Sequence, residues 1–64
     1  MKLYAYNQES MEVVAIINGE SNEECERKAE VNGCSPSDGI AWTYSPAFGM
    51  AGGLIESEDA EEIE

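Results

Sequence analysis

Apolar and polar positions alternate through parts of the first eighteen residues, and two short runs rich in Tyr, Val and Ile read there as strands. Residues 2–7 form the first. Residues 11–18 form the second, with Met11, Val13, Ala15 and Ile17 on one face and Glu12, Val14, Ile16 and Asn18 on the other. A strand apolar on both faces belongs in the middle of a sheet. The short polar connection Asn7-Gln8-Glu9-Ser10 suits a hairpin between antiparallel neighbours. Asn18-Gly19 then reads as the exit from the second strand, because the next segment has a helical pattern.

Ser21-Asn22-Glu23-Glu24 is a capping box, in which the Ser21 hydroxyl accepts from the Glu24 amide and the Glu24 carboxylate reaches back to the amide of Ser21. A helix is expected from there to a left-handed stop at Gly33. Glu23 with Arg27 and Glu24 with Lys28 are i,i+4 pairs with the acid on the N-terminal side, the favourable order. The inward stripe of Cys25, Ala29 and Val31 is thin, so the helix can lie close to a sheet while burying little area.

The segment 35–39, Ser-Pro-Ser-Asp-Gly, cannot continue a helix. Ile40 to Ser45 alternates large and small side chains and predicts a third strand with Ile40, Trp42 and Tyr44 on one face. Pro46 ends regular pairing, and 48–53 is too glycine-rich for an element interior. Leu54-Ile55-Glu56 is expected to return as a short fourth strand. Ser57 to Glu64 then reads as a frayed acidic tail or a short helix, the helix being disfavoured by like charges at Glu58 and Glu62. The fold class is therefore α+β: a three- to four-stranded antiparallel sheet in the order β-β-α-β, with one helix packed on one face. Residues 1–56 make the single domain and 57–64 its tail.

A chain of 64 residues has room for one small core only. Its charge changes the picture more than its size: 3 basic side chains against 14 acidic ones, with no histidine, give 3 − 14 = −11. The last ten residues alone hold Glu56, Glu58, Asp59, Glu61, Glu62 and Glu64 with no base among them, and 20–30 holds five glutamates against Arg27 and Lys28. Direct binding of nucleic acid or an anionic membrane is disfavoured, since phosphate binding needs clustered Lys and Arg. No apolar run approaches the ~20 residues of a membrane helix, and the opening residues lack a secretory signal, so a cytoplasmic protein is expected.

Without histidine there is no Ser-His or Cys-His pair and no imidazole metal ligand, and two cysteines do not make a four-thiolate zinc site. Gly49, Gly52 and Gly53 are not followed by the lysine and helix of a phosphate-cradling loop. No cofactor, metal or catalytic residue is expected. Cys25 and Cys34 lie about seven helical steps apart, roughly 10 Å and beyond the ~7 Å reach of a disulfide, so both are expected as free thiols.

The aromatic residues point instead to binding. One helix covers one face of a sheet, which leaves part of the set Tyr4, Tyr6, Trp42, Tyr44 and Phe48 facing outward. Aromatics ringed by carboxylates anchor a protein partner while the charges steer the encounter. The candidate partner-binding residues are Glu23, Glu26 and Glu30 on the helix, Glu56, Glu58, Asp59, Glu61 and Glu62 in the tail, and Tyr4, Tyr6 and Tyr44 as anchors.

In size, in strand-strand-helix-strand order, and in acidity carried by Glu20 to Glu30 and Ser57 to Glu64, the chain resembles small phage-encoded inhibitors of host nucleic-acid machinery, the anti-CRISPR and DNA-mimic class. The likeness is one of overall character. It implies a stoichiometric inhibitor that occupies the basic, nucleic-acid-binding surface of a host protein such as a Cas subunit. The residues by themselves imply a basic partner. The alternative from another class is a small structural protein that acts through homodimerisation, because so small a core is marginal alone.

Overall fold

A computed structural model of the chain describes residues 1–49 and 51–64. Strand β1 (Lys2–Asn7) and strand β2 (Val13–Asn18) form the expected antiparallel hairpin, with Leu3 opposite Ile17, Tyr4 opposite Ile16 and Ala5 opposite Ala15. The register then shifts, and Tyr6 faces Val13. Val14 is thus an extra residue, a bulge that turns Val13 toward the face of Tyr4 and Tyr6. The hairpin loop is held by Asn7, whose side-chain oxygen accepts from the amides of Glu9 at 2.8 Å and Ser10 at 3.2 Å.

Helix α1 (Asn22–Val31) starts at Ser21, whose hydroxyl accepts from the Glu24 amide at 3.2 Å. The return half of the capping box differs from the expectation. The Glu24 carboxylate takes the amide of Glu20, not that of Ser21, at 2.6 Å. It thereby satisfies a donor one residue further out and ties the incoming chain to the helix. Glu24 also pairs with Lys28 at 3.8 Å, and Lys28 donates to the Asn18 carbonyl at 2.9 Å, linking the last turn to the end of β2. The helix stops at Asn32, with Gly33 in the left-handed region at φ 78°.

A single 3-10 turn at Pro36–Asp38 leads through Gly39, also left-handed, into strand β3 (Ile40–Thr43), which runs antiparallel to β1 with Trp42 opposite Ala5. Strand β4 (Glu61–Ile63) lies parallel to β2, with Ile63 beside Ile17. The sheet order is β3-β1-β2-β4, with the two most apolar strands in the centre.

The architecture is α+β with one helix on a four-stranded sheet, as the sequence predicts, but two details are corrected. The sheet is mixed, because its last strand is parallel. The fourth strand is Glu61–Ile63, whereas Leu54 and Ile55 make only isolated bridges, to Phe48 and Glu12. The amide of Ile55 donates to the Met11 carbonyl at 2.8 Å and its carbonyl accepts from Val13 at 3.1 Å, so the chain touches the edge of β2 once. It leaves through a turn at Ser57, whose carbonyl and hydroxyl take the amides of Ala60 and Asp59 at 3.2 Å each, and rejoins the same edge as β4. Residues 57–64 therefore close the sheet and are neither a frayed tail nor a helix. Met50, within the expected 48–53 loop, lies outside the described residues.

The main core lies between helix and sheet: Leu3, Ala5, Ala15, Ile17, Cys25, Ala29 and Ile63 are buried, with Val14, Cys34, Ile40 and Trp42 packed at its margin. Small Cys25 and Ala29 bring the helix close, as predicted, while Val31 stays exposed and is not part of the stripe. Among the described residues, the opposite face of the sheet has no helix and buries only Val13 and Leu54.

Candidate functional site

On that second face the strand alternation places Tyr4, Tyr6 and Ile16, and the β2 bulge adds Val13. The chain after β3 folds back over part of it, and Phe48 meets Tyr4 edge to face, with ring centroids 6.0 Å apart and planes inclined by 72°. Between these rings and the turn at Ser57 opens a cleft of about 490 Å³, lined by Tyr4, Val13, Ile16, Phe48, Glu56, Ser57, Glu58 and Ala60. Its floor is apolar and aromatic. Glu56 and Glu58 are exposed at its rim, and no lysine or arginine lines it. Glu62 stands opposite Ile16 in the parallel pair, so it adds a third carboxylate to the same side of the sheet.

Three of the candidate residues, Tyr4, Glu56 and Glu58, thus come together. Tyr6 shares the face of Tyr4 but lines a separate hollow of about 140 Å³ with Pro46 and Leu54. Asp59 is exposed on the turn, and Glu61, paired with Ala15, points to the helix side of the sheet. Glu23, Glu26 and Glu30 form one stripe of α1 away from the cleft, with Glu23 and Glu30 exposed. Phe48, Val13, Ile16, Ser57 and Ala60 complete the cleft and lie outside the predicted set. Phe48 carried an aromatic signal, but the arrival of Val13 depends on the bulge, which has no local signature.

Tyr44 sits on the other side. Its hydroxyl lies 3.0 Å from Oε2 of Glu26 and 3.2 Å from the Asn22 carbonyl oxygen. Burial, then the bond to Glu26, pushes its pKa up to about 12. Trp42 Nε1 donates to the Cys34 carbonyl at 2.7 Å, which fixes the ring at the core margin. Cys25 and Cys34 are free thiols, as predicted from their spacing. Burial, followed by the nearby charges of Glu61 and Asp38, raises the Cys34 pKa, which suppresses the thiolate.

Among the described residues no group of three or more His, Cys, Asp or Glu is placed to hold a metal ion, and no helix is long and apolar enough to cross a membrane. No protein-family model, curated protein or solved structure matches the chain.

Proposed function

We propose that the protein is an acidic binding module that occupies a basic surface of a nucleic-acid-binding protein, as a stoichiometric inhibitor of the anti-CRISPR or DNA-mimic kind acting in the cytoplasm. The observation that carries this reading is the sheet face opposite the helix, where an aromatic cleft is rimmed by carboxylates and contains no basic side chain. A net charge of −11 draws a cationic surface in from a distance, and the aromatic floor gives the encounter a place to anchor. Lys and Arg that neutralise phosphates can equally be met by glutamates, so such a module competes with nucleic acid for one groove. Its association weakens as salt rises.

The test is a capture from host lysate at low and high salt, followed by a mobility-shift assay on the captured protein. The expected result is release of nucleic acid at a one-to-one ratio of inhibitor to target. A captured protein that keeps its nucleic acid bound, or no salt-sensitive capture at all, ends the proposal.

A second reading, homodimerisation, is favoured by one feature: β3 is an outermost strand, so its outer edge has no strand partner among the described residues. Light scattering decides it, since a folded monomer at high micromolar concentration excludes assembly as the function.

A further inference from the structure

Resting on the reading of this protein as a binder of a basic partner, we infer that the cleft between Tyr4, Phe48 and the Ser57 turn is the seat of an arginine side chain of that partner. The methylene stem of a long cationic side chain needs apolar surface, which Val13 and Ile16 provide. Its head needs negative charge at the mouth, and Glu56 and Glu58, exposed and one residue apart on either side of Ser57, supply it. The lone salt bridge among the described residues is Glu24 with Lys28 on the helix, so the rim carboxylates have no internal counter-charge.

The aromatic pair decides between the two basic residues. A guanidinium is planar, weakly hydrated and able to stack on a ring while forking to carboxylates, whereas an ammonium is a compact, strongly hydrated charge. An edge-to-face pair leaves ring surface available for stacking. At about 490 Å³ the cleft lies within the range of specific small-ligand sites, which leaves room for one side chain and its flanking backbone.

The probes are a hexa-arginine and a hexa-lysine peptide, each titrated into the full chain by fluorescence anisotropy at low salt. The arginine peptide is expected to bind about three- to ten-fold more tightly than the lysine peptide. Phe48→Leu, which keeps apolar volume but removes the ring, brings the two affinities together. Glu56→Gln with Glu58→Gln, both exposed and compatible with the fold, weakens both peptides. Circular dichroism verifies that each variant is folded.

Equal binding of the two peptides by the native chain overturns the arginine seat. Unchanged binding by the cleft variants, with loss in a Glu23→Gln, Glu26→Gln, Glu30→Gln triple variant, overturns it too and moves the contact to the helix while leaving the binding-module reading intact. A native chain that binds neither peptide at low salt overturns both.

Discussion

The hydroxyl of Tyr44 lies 3.0 Å from a carboxylate oxygen of Glu26, eighteen residues earlier in the chain, and 3.2 Å from the carbonyl of Asn22. A side chain just beyond β3 thereby clasps the first turns of α1. Two residues that the sequence marks as partner-facing are engaged with each other, whereas Glu23 and Glu30 of the same helix stripe make no side-chain hydrogen bond or ion pair among the described residues.

Tyr44→Phe is expected to cost about 0.5–1.5 kcal/mol at neutral pH, the ordinary net worth of a hydrogen bond. The pH dependence is more specific. The folded state holds the Tyr44 proton more tightly than the unfolded chain, with a pKa near 12 against the usual 10. Its stabilisation is whole below pH 10 and is lost as pH rises toward 12. Urea midpoints of the native chain therefore fall more steeply than those of Tyr44→Phe across that interval. Parallel slopes would show that the clasp is absent in solution.

Glu24 titrates in the opposite direction. The Glu20 amide, then Lys28, holds its carboxyl below the ordinary value of 4.5. Its contribution is present above that value and is lost as pH falls below it. Glu24→Gln should flatten the acid limb of the stability profile, and Ser21→Ala, which removes the other half of the cap, should cost about 1 kcal/mol at any pH. Thermal melts between pH 3 and 7 separate the two.

Gly19 is required by close approach. A Cβ there would sit 2.8 Å from Sγ of Cys25 and 3.2 Å from its backbone nitrogen. Because Cys25 is fully buried, the thiol has little room to retreat. Gly19→Ala should destabilise by about 1–3 kcal/mol, the usual cost of overpacking. Adding Cys25→Ala should recover part of that loss, giving a coupling in a double-mutant cycle. Strict additivity would argue that the helix start does not pack against Gly19.

Ile63 is 9% exposed and packs with Leu3, Ile17 and Ala29. Ile63→Ala should cost about 2 kcal/mol, at the low end for a large-to-small core change because the site lies at a sheet edge. The exposed neighbour Glu62→Ala should change stability by less than about 0.5 kcal/mol. Urea unfolding of the two variants distinguishes a structural strand from an appended tail, which would show no difference.

Local patterns along the chain were sufficient for much of the fold. The β1–β2 hairpin, the Ser21 cap, the stop at Gly33, the close seat of Cys25 and Ala29, and the common side of Ile40, Trp42 and Tyr44 each depend on residues within a few positions of one another. The net charge of −11 is likewise fixed by composition, before any folding. The tertiary structure decided what depends on distant pairing. Glu61-Glu62-Ile63 offers a single apolar residue, and becomes a strand only because the edge of β2 supplies the hydrogen bonds and the core supplies a place for Ile63. The bulge at Val14 turns Val13 outward, and the return of Phe48 over Tyr4 walls the cleft beside Glu56 and Glu58. A concave site assembled from four separate stretches has no period or motif to read, because its parts are neighbours only after the chain has folded.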